Sequence, residues 1–66
     1  MNTPYELEKA RRARKVEQAA VEFEAAIAAV DKEQFEAVKN RFYRYLKASE
    51  VKAWNHKFLM AYMAKH

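Results

Sequence analysis

Lysine and arginine occupy five of the seven positions from residue 9 to residue 15. These five residues, called here the basic arm, are Lys9, Arg11, Arg12, Arg14 and Lys15. Cations at this density can lie along a phosphate backbone, where each neutralised charge releases counterions and the affinity falls steeply with salt. The alternative is a solvated helical end that binds nothing, supported by a Glu8 to Arg12 pair at i,i+4. The basic arm therefore predicts a nucleic-acid contact, with solubility as the competing role.

A second group of candidate residues follows the spacing i, i+3, i+4, i+7, which places its members on the outer face of one helix. This outer strip consists of Asn40, Tyr43, Arg44 and Lys47. One aromatic ring among basic and hydrogen-bonding groups suits phosphate contact combined with base stacking. The alternative is that Tyr43 is an ordinary half-exposed tyrosine. Residues 34–66 hold seven Lys or Arg against two Asp or Glu, whereas residues 1–33 hold six against seven. The positive net charge of the second half favours phosphate binding by this strip.

The chain offers little for catalysis, since it has no Cys and no Gly. The single Ser and the single Thr, Ser49 and Thr3, both stand where helix caps are expected. His56 and His66 have no carboxylate at i+3 or i+4, so neither a metal site nor a Ser–His pair can be built locally. We expect no enzyme, no metal, no cofactor and no small-molecule substrate. An enzyme would need a site assembled between subunits from Glu, His and Tyr.

Capping signals divide the chain into helices that position these residues. Thr3 and Glu6 form a capping box with Pro4 at the first helical position, which predicts a helix over residues 4–30. Asp31 with Gln34 predicts a second helix over residues 32–47. Ser49 predicts a third over residues 50–64. With no Gly in the chain, the connections are expected to use ordinary backbone angles.

Each predicted helix has apolar residues on one face at helical spacing. On the first helix they are Val16, Ala20, Phe23, Ile27 and Val30. On the second they are Phe35, Val38, Phe42, Tyr45 and Leu46. On the third they are Val51, Trp54, Phe58, Ala61 and Tyr62. Six residues are expected to be the most costly to truncate: Phe23, Ile27, Phe35, Phe42, Trp54 and Phe58.

Helix lengths place the basic arm outside the packed part of the molecule. The first predicted helix is about 40 Å long and the others are each roughly 25 Å. The segment upstream of Val16 has no partner of matching length, and Lys9 and Arg12 occupy the positions that would continue the apolar face. We therefore predict an all-α, compact three-helix domain covering residues 1–66, with a long N-terminal helix whose basic end overhangs the bundle.

The end of the third predicted helix is apolar all round rather than on one face. Leu59, Met60 and Met63, called here the apolar tip, point away from the face of Trp54 and Phe58. A domain of this size cannot bury both sides of a helix, so the apolar tip predicts contact with another protein chain or self-association. The alternative is a loosely packed last turn.

Two further interpretations concern the partner and the compartment. Predicted helices 2 and 3 could form a helix-turn-helix, but the usual turn glycine is missing and the outward polar groups at the start of the third helix are only Glu50, Lys52, Asn55 and His56. No apolar run approaches the roughly 20 residues of a membrane span. The N-terminus lacks a secretory signal, so we expect a soluble cytoplasmic protein without membrane contact.

These observations predict a small non-catalytic helical binding protein. The favoured function is a regulatory or accessory factor that docks on nucleic acid or a nucleoprotein complex through the basic arm and the outer strip. The alternative is a protein-binding inhibitor or adaptor of bacterial or phage type, which would act through the apolar tip and use its charge for steering and solubility.

Overall fold

The computed structural model describes residues 3–66, and within that range it contains three helices and no strand. Helix α1 spans Pro4–Ala29, α2 spans Lys32–Phe42 and α3 spans Ala48–Lys65. The all-α fold and the long N-terminal helix, 26 residues in length, are confirmed. None of these helices combines the length and the apolarity that crossing a membrane requires.

Helix α1 begins at the predicted capping box. The Thr3 hydroxyl accepts a hydrogen bond from the Glu6 backbone N–H at 3.2 Å, and the Thr3 N–H donates to the Glu6 carboxylate at 3.4 Å. Pro4 follows as the first helical residue, where its missing N–H costs no hydrogen bond. Local sequence alone is therefore sufficient to start this helix.

Helix α1 ends at Val30, whose φ of 50° lies in the left-handed region. The Val30 N–H donates to the Ile27 carbonyl at 3.0 Å, and the Asp31 N–H donates to the Ala26 carbonyl at 3.1 Å. This pairing satisfies the last carbonyls of the helix and requires one left-handed residue, which is usually glycine. The expectation of ordinary backbone angles at every connection is therefore wrong at Val30. Asp31 then caps α2 as predicted, since its carboxylate accepts from the Gln34 N–H at 3.1 Å.

The connection between α2 and α3 differs from its prediction. Helix α2 ends at Phe42 rather than at residue 47, and residues 43–46 form a turn in which the Tyr45 N–H donates to the Phe42 carbonyl at 2.9 Å. Ser49 is not the cap of α3 but its second residue. The cap is Lys47, whose N–H donates to the Glu50 carboxylate at 2.8 Å. The longer turn reverses the chain while keeping the Leu46 side chain in the core.

The core lies between α1 and α2, with α3 packed over it. Its fully buried residues on α1 are Ala19, Phe23 and Ala26. This line is displaced from the predicted one, because Val16, Ala20, Ile27 and Val30 are only half-buried. Both α2 and α3 pack against α1, and two of the three fully buried residues on α1 are alanines. The prediction favoured the larger side chains and missed this preference for small ones.

The buried residues of α2 and the following turn, Phe35, Val38, Phe42 and Leu46, match the predicted face. Helix α3 has no fully buried residue, so Trp54 and Phe58 are less buried than expected. They cover the core through their rings, which stack on Phe23 at 5.0 Å and on Phe35 at 4.7 Å respectively. Tyr62, predicted to face the core, is instead 44% exposed.

The helices run up, down and up along one axis. Helix α3 is parallel to α1, since Arg12 near the start of α1 contacts Tyr45 just before α3, and Glu24 near the end of α1 lies 3.5 Å from Lys57 in the second half of α3. The molecule measures 52 × 18 × 15 Å. The start of α1 therefore projects at one end of the long axis, and the end of α3 projects at the other.

Candidate nucleic-acid interface

The basic arm lies on α1, upstream of the first buried residue, Ala19. Lys9, Arg11, Arg12 and Arg14 are exposed, and Lys15 is half-buried. The expected Glu8 to Arg12 pair is not formed. Arg12 instead donates from Nε to the Tyr45 carbonyl at 3.2 Å, so its guanidinium is held against the turn after α2. No salt bridge found within residues 3–66 involves the basic arm.

The outer strip is exposed, but it does not lie on one helix as predicted. Asn40 belongs to the last turn of α2, whereas Tyr43 and Arg44 lie in the following turn and Lys47 directly precedes α3. Helical spacing stops at Phe42, so the i,i+7 relation between Asn40 and Lys47 no longer places them on a common face. These residues form the edge of a turn rather than a straight ridge.

The hydrogen bond from Arg12 to Tyr45 joins the basic arm to this turn, although 33 residues separate them in sequence. Residues 5–15 carry five Lys or Arg and two Glu, and residues 43–47 carry two Lys or Arg and no acid. This end of the molecule, called here the basic end, therefore has a net charge of +5, against −1 for the rest of a chain whose total is +4. The sequence suggested the two basic groups separately, and the fold places them side by side.

Three of the six cations elsewhere are paired with acids, namely Lys39, Arg41 and Lys57. Arg41 on α2 lies 2.6 Å from the Glu22 carboxylate on α1. Lys57 on α3 lies 3.5 Å from Glu24, and its ammonium also sits 4.7 Å from the centre of the Trp54 ring. The Arg41 and Lys57 pairs join helices to one another, whereas the charge of the basic end faces solvent. Unpaired exposed cations of this kind are available to an anionic ligand.

An open cavity of about 450 Å³ lies between the start of α1 and the turn after α2. Six residues line it: Tyr5, Glu8, Lys9, Arg11, Arg12 and Tyr45. Tyr5 was not among the residues predicted for the site, and Tyr45 was predicted only for the core face. A signal was present, since Tyr5, Glu8, Lys9 and Arg12 are spaced i, i+3, i+4, i+7 and so share one face of α1. The surface combines two phenol rings with three cations.

The apolar tip lies at the other end of the molecule. Leu59, Met60 and Met63 are 53%, 54% and 63% exposed, which agrees with the prediction that they point away from the core. Across residues 3–66, no three His, Cys, Asp or Glu side chains lie close enough together to hold a metal ion. Comparison of the chain with protein-family models, with curated proteins and with solved structures gave no match.

Proposed function

We propose that this protein is a small non-catalytic nucleic-acid-binding factor that docks on phosphate backbones through its basic end, in a regulatory or accessory role. The observation that carries the proposal is the net charge of +5 at that end. Its cations are exposed apart from the half-buried Lys15, and no salt bridge within residues 3–66 involves the basic arm. The elongated shape presents this charge at a projecting end rather than on a broad face.

Binding follows from counterion release. Each Lys or Arg that neutralises a phosphate frees condensed cations, so the logarithm of the binding constant falls linearly with the logarithm of salt concentration. The five residues of the basic arm together with Arg44 and Lys47 supply seven cations. If all seven contact phosphates, the slope is about −5 on a single strand and about −6 on duplex DNA. Long-range attraction would also speed the encounter.

The test compares two charge-reversal variants of equal net charge. The first is Arg11→Glu, Arg12→Glu and Arg14→Glu in the basic arm. The control reverses three exposed lysines outside the basic end, namely Lys32→Glu, Lys52→Glu and Lys65→Glu. Fluorescence anisotropy with labelled oligonucleotides over a range of salt concentrations measures affinity and slope, and circular dichroism checks that each variant keeps its helices.

We expect the arm variant to lose about two to three units of salt slope together with most of its affinity, because three phosphate contacts are replaced by repulsion. The control should retain the slope of the wild type, although its affinity falls modestly with the lower net charge. An equal loss of slope in the two variants would contradict the proposal, since binding would then depend on total charge and not on the basic end.

A second candidate function is protein binding through the apolar tip, as an inhibitor or adaptor. It is favoured by the exposure of Leu59, Met60 and Met63 in adjoining turns of α3. Methionine is common on surfaces that adapt to a partner. Salt distinguishes the two functions, because a mainly apolar protein contact changes little over a range in which nucleic-acid binding falls by orders of magnitude.

A further inference from the structure

The cavity at the basic end is lined by aromatic rings as well as by charged side chains. Tyr5 stands in the first turn of α1 and is 73% exposed, so its ring takes no part in the core. Across the cavity, the half-buried Tyr45 packs against the core and is therefore held in place. Arg12 lines the same cavity, and its guanidinium is held by the hydrogen bond to the Tyr45 carbonyl at 3.2 Å.

Phosphate contact alone does not require such a cavity. A duplex meets its protein partner with a convex, regularly spaced phosphate surface, and its bases are stacked on each other with both faces covered. An unpaired base exposes its flat faces, and these stack on tyrosine rings and on the guanidinium planes of arginine. Stacking of this kind tolerates any base, because every base has such a face.

We infer that the cavity lined by Tyr5, Arg12 and Tyr45 takes an unpaired nucleobase, so that the ligand of the basic end is single-stranded nucleic acid. The inference rests on the proposed function and specifies its substrate class. The neighbouring cations of the basic arm hold the flanking phosphates while the base stacks on the tyrosine or arginine side chains of the cavity. Glu8 on the cavity wall adds an acceptor for the exocyclic amino groups of bases.

The experiment measures the affinity for a short labelled oligonucleotide of mixed sequence, as a single strand and as the duplex with its complement. The variants are Tyr5→Ala, which removes one ring, and Tyr5→Phe, which keeps the ring without its hydroxyl. Leu7→Ala is the matched control, because Leu7 is an exposed apolar residue of the same helical turns that does not line the cavity. Helical content measured by circular dichroism accompanies each variant.

The wild type is expected to bind the single strand more tightly than the duplex. Tyr5→Ala should weaken single-strand binding by roughly 5-fold to 100-fold, the usual effect of losing one stacking ring, and leave duplex binding unchanged. Tyr5→Phe and Leu7→Ala should bind as the wild type does.

Three results would overturn the inference. Salt-dependent binding of both oligonucleotides with no effect of Tyr5→Ala would leave the proposed function standing and remove the base-binding cavity. Binding to neither oligonucleotide would overturn both. Competition by polyglutamate as strong as that by an unlabelled single strand of equal charge would show that the surface recognises negative charge and not an unpaired base.

Discussion

Val30 has a backbone conformation that lowers the stability of the fold. It is branched at Cβ, yet it occupies the left-handed region with a φ of 50°. An L-residue other than glycine is disfavoured there by about 1–2 kcal/mol because Cβ approaches the following carbonyl. We expect Val30→Gly to be about 1 kcal/mol more stable than Val30→Ala in denaturant unfolding, since both lose the two methyl groups of valine and only glycine, without Cβ, relieves the backbone.

The control for this prediction is Ala28, which is exposed and lies within the last turn of α1. There Ala28→Gly should destabilise the protein by about 1 kcal/mol, the ordinary preference of a helix for alanine. Opposite signs at two positions that lie two residues apart would identify the left-handed conformation as the cause. If glycine destabilises equally at both positions, Val30 is not held in that conformation.

The aromatic residues that were predicted to be the most costly to truncate differ in how deeply they are buried. Phe23 is fully buried and its ring contacts Phe35 at 5.1 Å and Trp54 at 5.0 Å, whereas Phe58 is half-buried on the outer helix. Phe23→Ala should cost about 3–5 kcal/mol, as complete truncations in cores do. That loss equals the whole stability expected of a domain of this size, roughly 3–5 kcal/mol.

We therefore expect Phe23→Ala to be unfolded at room temperature and Phe58→Ala to keep its helices with a lower melting temperature. Far-ultraviolet circular dichroism with temperature distinguishes the two. Equal loss of helix in both variants would mean that α3 contributes as much to the core as α1 and α2 do, contrary to its partial burial.

At the scale of the helices, the two predicted caps Asp31 and Ser49 differ in whether they accept a hydrogen bond from the backbone. Asp31 accepts from the Gln34 N–H at 3.1 Å, whereas Ser49 lies inside α3 and caps nothing. Asp31→Ala should cost about 1 kcal/mol. Ser49→Ala should change the free energy of unfolding by less than about 0.5 kcal/mol, as surface substitutions usually do. A larger loss for Ser49→Ala than for Asp31→Ala in urea titration would contradict this assignment.

The helices themselves were predictable because their signals are local. The capping box at Thr3 and the cap at Asp31 satisfy backbone N–H groups within four residues, and the apolar face of α2 repeats at helical spacing. The end of α2 was not predictable in this way. Tyr43 to Lys47 contain good helix formers and no glycine or proline, so only the need of the chain to reverse and pack α3 against α1 ends the helix at Phe42.

The candidate site was predicted only in part, because some of its features are local in sequence and others depend on the fold. Charge density is visible in sequence, and it identified the basic arm, Arg44 and Lys47 as candidates. Their proximity depends on the contact between Arg12 and Tyr45, which joins α1 to a turn whose position is set by tertiary packing. The cavity depends on that contact as well, so the role inferred for Tyr5 could only follow from the fold.

At the scale of the molecule, the two candidate surfaces lie at opposite ends of a shape 52 Å long. Met63 lies at the level of the end of α1, so its separation from Lys9 along the helix axis is about 30 Å. Sites so far apart, with no shared partners, contribute independently to free energies. Changes at the apolar tip should therefore leave nucleic-acid binding unaffected, and changes in the basic arm should leave any association through α3 unaffected.

The apolar tip is expected to associate with a second copy of the chain. Leu59, Met60 and Met63 are each more than half exposed, and burying apolar area is worth about 25 cal/mol per Å². A two-fold dimer is the commonest arrangement, because the same patch then covers itself. The tip also has few charges to oppose contact, with Lys57 already paired to Glu24 and Lys65 at the end of the helix.

The test is analytical sedimentation of the wild type and of a variant with Leu59→Gln, Met60→Gln and Met63→Gln. Glutamine favours helix nearly as well as leucine and methionine, so the variant should fold. The wild type should form dimers at high micromolar concentration and the variant should remain monomeric with unchanged oligonucleotide affinity. Val21→Gln, at an exposed apolar position on α1, should dimerise like the wild type. A strictly monomeric wild type would contradict self-association, and weaker oligonucleotide binding by the folded tip variant would show that the two ends are coupled.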